Sequence, residues 1–208
     1  LGNLPRMSGE VSAAVELYER AATESADASD LAALLSWHAA ALWLRGDRDA
    51  STKLASEALG IATRIGDHRS LATTYTVMAM NAAFDGDRAS NDFYYLQALD
   101  HAERARDAIQ TIRIRSNRGS HFFEEGEYHT ALAELDIALR LADLTGSEFW
   151  KAMALTNRGP GVFALGRIAE ALQDLGAARA AMRRPAARSA AHPLTAPGTD
   201  HPMRGDPD

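Results

Sequence analysis

Four glycines, Gly46, Gly86, Gly126 and Gly166, follow one another at intervals of 40 residues. Each has the same surroundings: an apolar stretch, the glycine, a polar pair, then an alanine-rich apolar stripe, as in LRGDRDA, FDGDRAS, EEGEYHTA and ALGRIAEA. Gly9 in MSGEVSAA reads as an earlier member, 37 residues before Gly46. A period of this length means that one supersecondary unit is copied along the chain and that the copies stack, because a single copy cannot bury its own apolar face.

Each unit reads as two helices. After Gly126 the apolar residues are Tyr128, Ala131, Leu132, Leu135, Ala138, Leu139 and Leu141, and after Gly166 they are Ile168, Ala171, Leu172, Leu175 and Ala178. This is the i, i+3, i+4, i+7 stripe of an amphipathic helix. The glycine suits a position just past a helix end, where a left-handed backbone carries no side-chain penalty. Asp47 or Asp49, and Asp87 or Ser90, can cap the helices that follow. A second polar break separates the units, at Ser25-Ala26-Asp27, Gly66-Asp67, Arg106-Asp107 and Thr145-Gly146-Ser147. The spacing predicts a lone helix over 10–24, then pairs at 29–45 with 48–65, 68–85 with 88–105, 108–125 with 128–144, and 148–165 with 167–183. The β-branched residues never alternate over a useful length, so no strand is expected. Pro160, inside one predicted helix, should kink it or delay its start.

With 46% hydrophobic and 24% charged residues, the chain can bury a core across these units. It has no cysteine, which leaves no disulfide or thiolate metal site and fits a reducing compartment, so we expect a cytoplasmic protein. The net charge of −6 argues against a direct nucleic-acid surface. No apolar run approaches the ~20 residues that span a bilayer, and the first ten residues lack the apolar core of a signal peptide. A chain that starts on Leu1 reads as a piece of something longer. From Pro185 the periodicity stops, and 185–208, with five of the seven prolines, reads as a disordered tail.

The two last units resemble the tetratricopeptide repeat (TPR). That repeat has a small residue in its first helix, a turn glycine seven residues later, an alanine five beyond it and another seven further on. Here those are Gly119, Gly126, Ala131 and Ala138, then Gly159, Gly166, Ala171 and Ala178. Ala39 with Gly46, and Ala79 with Gly86, follow the first part; Ser51 and Asn91 replace the first alanine of the second helix, and Ala58 and Ala98 restore the second. The resemblance implies an all-α, right-handed superhelix of about four helix pairs plus an N-terminal helix, forming one repeat domain over 1–184. Its units would span 29–65, 68–105, 108–144 and 148–183. The long period, and segments such as ALGIATRIGD, are similar to the helical repeat region of bacterial regulators of the LuxR/MalT type. The nucleotide-binding GxxxxGK[ST] and the helix-turn-helix of those regulators are absent here.

In such a stack the first helices line the concave face, which implies a groove for a protein or peptide ligand. Counting back from each turn glycine places Trp37, Thr76, Met80, Arg113, Asn117, Ser120, Phe123, Met153 and Asn157 on that face. Asn117 and Asn157 belong to a repeated Asn-Arg-Gly and offer both donor and acceptor to a peptide backbone. The alternative is that these amides bridge adjacent helices. Trp37, Trp43, Phe123 and Phe163 either face a ligand or form core between repeats. The Lys and Asn of the chaperone-binding carboxylate clamp are absent, since those positions hold Ser36, Thr76, Ser116 and Thr156, then Ala40, Met80, Ser120 and Pro160. His121, Glu124, Glu125 and His129 straddle a turn without the i, i+4 histidine spacing of a helical zinc site, so no metal is expected. Arg104, Arg106, Arg113, Arg115 and Arg118 meet either an acidic partner or the nearby carboxylates. We expect a binding scaffold without catalytic residues or cofactor. Its alternatives are a self-associating homo-oligomer joined through uncapped ends, or a small-molecule sensor or hidden enzyme in the groove.

Overall fold

The computed structural model describes residues 4–24 and 27–183. Among these are nine α-helices and no strand. A first helix, α1 (Leu4–Glu24), precedes four pairs: α2 (Ala28–Arg45) with α3 (Arg48–Ile65), α4 (His68–Phe84) with α5 (Arg88–Arg104), α6 (Ala108–Glu124) with α7 (Tyr128–Thr145), and α8 (Glu148–Ala164) with α9 (Ile168–Arg183). The paired helices begin and end within a residue or so of the positions expected from the stripes. Helix α1 does not: it starts at Leu4, and Gly9 lies inside it rather than at a turn. The tail reading at 185–208 lies outside the described residues, as does most of the Ser25-Ala26-Asp27 break.

Each first helix packs on the next, α2 on α4, α4 on α6 and α6 on α8. Among the described residues the backbones of the second helices, α3, α5, α7 and α9, do not approach one another; each packs on its own first helix, and α3, α5 and α7 also pack on the next one. Contact on one side and divergence on the other curve the stack, with the first helices on the inside. Alanines permit the close approach: Ala39, Ala55, Ala58, Ala79, Ala98, Ala131 and Ala138 are wholly buried. Ser51 and Asn91, the two departures from the repeat pattern, are also buried. Ser51 Oγ donates to the Ala39 carbonyl at 2.9 Å, and Asn91 Nδ2 to the Ala79 carbonyl at 2.8 Å. The polar side chain thus ties the second helix to the first where Ala131 and Ala171 merely fit.

Carboxylates start several helices. Asp27 accepts from the Ser29 and Asp30 amides, Asp67 from Arg69 and Ser70, Asp87 from Ser90, and Asp107 from Gln110. Asp87 therefore caps α5 as one of the two expected candidates. Asp47 occupies the cap position of α3 but makes no cap bond; its carboxylate pairs with Arg45 Nη2 at 2.7 Å. Pro160 does not delay the start of its helix: α8 begins at Glu148 and runs through Pro160 to Ala164. The ring is exposed, only one intrahelical donor is lost, and the last turn is pinned by the fully buried Val162.

The turns between units repeat a left-handed residue, Gly66 at φ 70° and Gly146 at φ 65°. The equivalent position between α5 and α6 is Arg106, at φ 52°. A side chain in this region strains the backbone by ~1–2 kcal/mol, and glycine does not. We expect Arg106→Gly to raise stability by about 1 kcal/mol in urea unfolding; a loss would show that the exposed Arg106 side chain contributes more than the strain costs.

Candidate binding groove

A cavity of about 460 Å3 opens on the concave face. Trp37, Ala40 and Leu44 come from α2, Thr76, Val77 and Met80 from α4, and Arg113 and Asn117 from α6. Val11, Ala14 and Tyr18 of α1 close one side, and Trp150 of α8 also lines it. The walls are almost wholly apolar. Helix α1 is held there by Val15, which packs with Ala41 and Leu42.

Five of the nine residues expected on this face meet in the cavity: Trp37, Thr76, Met80, Arg113 and Asn117. They meet because each lies on the inner side of a first helix and those helices touch. The Arg113 guanidinium stacks over the Trp37 ring, 4.4 Å from its centroid. Its Nε and Nη2 are closed to water and make no hydrogen bond. Burial lowers the Arg113 pKa to about 10, with Asp107 and Tyr95 acting against the shift, so the group is still a cation at neutral pH. Asn117 Nδ2 reaches Met80 Sδ at 3.8 Å, a weak contact that spans α6 and α4.

The other four lie outside the cavity. Ser120 Oγ donates to the Ser116 carbonyl of its own helix at 3.2 Å. Asn157 Nδ2 donates back to the same Ser116 carbonyl at 3.4 Å. Met153 is half-buried on α8. Phe123 is turned into the repeat core: its ring packs with Leu132, Val162 and Ala171 and fills the space beside Gly161, where an added Cβ would stand 1.6 Å from Cε1. Trp43 is likewise engaged elsewhere, under the Arg48 guanidinium at 4.0 Å, while Phe163 is exposed.

The repeated Asn-Arg-Gly is therefore a joint between helices in both copies. The asparagine reaches the preceding first helix. The arginine reaches its own second helix, Arg118 to Glu134 at 2.6 Å and Arg158 to Asp174 at 2.6 Å. The glycine lets that helix close in: a Cβ at Gly119 would meet Leu135 Cγ at 2.7 Å, and one at Gly159 would meet Leu175 at 3.2 Å. The arginine run does not form one basic surface. Arg104 pairs with Asp100, Arg115 and Arg118 share Glu134, and Arg113 points into the cavity. His121 faces Glu125 at 3.4 Å while His129 is exposed, and no metal-binding group of three ligands occurs among the described residues.

Sequence reasoning missed α1 and Trp150. Trp150 lies one turn before Met153, so extending the inner stripe by three residues would have reached it. No such signal existed for α1, because Gly9 is not a turn and gives no register.

Burial disfavours the charged form of two histidines. His101 Nδ1 lies 2.9 Å from His68 Nδ1, with the rings stacked at 5.0 Å. Burial lowers the His101 pKa and His68 lowers it further; burial likewise lowers His38, with Glu19 opposing and Arg45 adding. The unfolded chain therefore takes up protons first. Stability is full above the ordinary histidine value of about 6.5 and is lost as pH falls from there through the lower folded values. Melting followed from pH 8 to 5 should show this fall, and His38→Leu with His101→Phe should flatten it. An unchanged slope in the double variant would assign the effect to other groups.

No protein-family model matches the chain, and no curated protein matches it in sequence. Among the described residues no helix is long and apolar enough to cross a membrane. Among solved structures, the chain is similar to BtubC (BKLC) from P. vanneervenii, with a TM-score of 0.65 and 19% identity over 86% of this chain and 76% of that one. It is also similar to a putative kinesin light chain of Podosopora anserina with nearly identical TPR-like repeats, with a TM-score of 0.56 and 16% identity over 86% of this chain and 92% of that one. At such identities the likeness carries the architecture, and the chain is an all-α helical repeat scaffold with the TPR-like solenoid fold.

Proposed function

We propose that the chain is a protein- or peptide-binding scaffold, serving as the interaction or sensor segment of a bacterial transcriptional or signalling regulator in the cytoplasm. The observation that supports this is the apolar cavity on the inner face, built by residues from five helices and holding an aromatic ring, a thioether and a cation. Such a surface takes an apolar side chain of a partner segment as an anchor. Among the described residues no constellation suggests turnover, which supports a role in binding.

Peptide display against the full chain tests the groove. Selected peptides should share an apolar anchor and should lose at least tenfold in affinity to Trp37→Ala with Met80→Asp. Equal capture by that variant would remove the groove from the proposal. For the regulator role, an ATPase module encoded next to the repeats would support it.

A second reading, self-association, is favoured by the outer side of α9. Ile168, Leu172, Leu175 and Met182 are 46–66% exposed there. An apolar stripe of this kind invites a second copy. Light scattering that gives a monomer over a wide concentration range would end this reading.

A further inference from the structure

We infer that the cavity beneath Trp37 and Arg113 is a site for a small organic acid, a single carboxylate on an apolar aliphatic or aromatic body. This goes beyond the partner-segment reading and is scored without any peptide. The cavity holds about 460 Å3, within the range of small-molecule sites. Its walls offer apolar contact on every side: Val11 and Tyr18 from α1, Leu44 from α2, Val77 and Met80 from α4, and Trp150 from α8.

One group does not fit an apolar cavity. The Arg113 guanidinium has Nε and Nη2 shut off from water with no acceptor, and its described contact is the face of Trp37. A buried cation without a hydrogen-bonded anion is strongly unfavourable. Arg115 and Arg118, on the same helix, show the ordinary solution: both pair with Glu134. Among the described residues no carboxylate pairs with Arg113, Asp107 acting on it only at longer range, and a bound one that meets the guanidinium where it lines the cavity supplies what is missing. A guanidinium placed over an indole at the cavity wall brings a fork of N–H donors suited to a carboxylate.

The polar inventory favours a small acid over an extended chain. A peptide backbone needs a row of donors and acceptors. Asn157, expected to supply part of that row, is committed to the Ser116 carbonyl, and the Thr76 hydroxyl donates to the Ala72 carbonyl. The cavity is left with one cation, the amide of Asn117, the Tyr18 hydroxyl and the indole N–H groups of Trp37 and Trp150, a set with a single full charge. That set matches one anionic head and an apolar body.

The test titrates the full chain with octanoate and indole-3-acetate, and with octanamide and indole-3-acetamide as uncharged counterparts. Calorimetry reports on all four, and tryptophan emission on the octanoate and octanamide pair, since Trp37 and Trp150 line the site. Each acid should bind about tenfold or more tightly than its amide, the range of a charge-assisted hydrogen bond. Arg113→Met should abolish that preference and melt no lower than wild type, because it removes an uncompensated buried charge. A purely structural arginine would instead lower the melting temperature. If Arg113→Met does not fold, Arg113→Gln serves for the preference, and Trp37→Leu should weaken the acids severalfold while keeping the cation. The inference is overturned if acids and amides bind alike, if neither acid binds at millimolar concentration, or if the arginine variants keep the preference. Peptides that bind while both acids fail would overturn it and leave the groove reading standing; the converse would separate the two in the other direction.

Discussion

Gly161→Ala should be among the most damaging substitutions in the chain, although alanine is the better helix former. Gly161 lies within α8, where alanine alone would gain ~1 kcal/mol. The added Cβ would stand 1.6 Å from Phe123 Cε1, 1.9 Å from Cζ and 2.5 Å from Cδ1. No small adjustment relieves that overlap, so the ring must leave. Its socket against Leu132, Val162 and Ala171 then stays empty or is refilled badly. We expect a net loss of about 2–4 kcal/mol in urea unfolding, between typical overpacking and the full removal of a core phenylalanine. In a Phe123→Ala background the same substitution should be neutral or stabilising. A loss of similar size in both backgrounds would show that the clash is not with the ring.

Glu134→Ala should cost a comparable amount for an electrostatic reason. Glu134 is 8% exposed and accepts from Arg115 Nη1 at 2.7 Å and Arg118 Nη1 at 2.6 Å. Both arginines are themselves mostly covered, so truncating the carboxylate leaves two cations with little solvent to turn to. Asp92 can take over part of Arg118, at 3.8 Å. Breaking a buried pair from one side costs about 3–5 kcal/mol, and we expect the lower end because the arginines keep some exposure. Replacing all three by apolar residues should recover most of the loss. If the triple replacement is as unstable as Glu134→Ala, the damage comes from lost packing rather than stranded charge.

The two substitutions mark how far the sequence could be read. The period of the turn glycines delivered the helix pairs, their order and the inner face, because backbone geometry at those turns depends on the glycine itself. The inner-face count also brought Trp37, Thr76, Met80, Arg113 and Asn117 to one cavity, since neighbouring first helices touch along their length. Phe123 escaped that count. Whether its ring faces the groove or the core is decided by the missing side chain at Gly161, 38 residues away on another helix. The Asn-Arg-Gly pair could be read two ways, as ligand contacts or as bridges between helices, and its two copies differ: Asn117 lines the cavity while Asn157 reaches the Ser116 carbonyl. The contribution of α1 to the cavity was invisible because that helix stands outside the repeat.

The gaps between the second helices give the stack the mechanics of a bent spring. Its inner edge is a continuous line of contacts through α2, α4, α6 and α8, while along its outer edge α3, α5 and α7 each pack on the next first helix rather than on one another. Bending or straightening therefore moves the second helices apart or together, with the inner joints as pivots and the packing of each second helix on the next pair as the resistance. The cavity crosses those pivots from α2 to α8. Whatever fills it touches the first helices of all four pairs at once and so is placed to resist a change in the curvature of the stack.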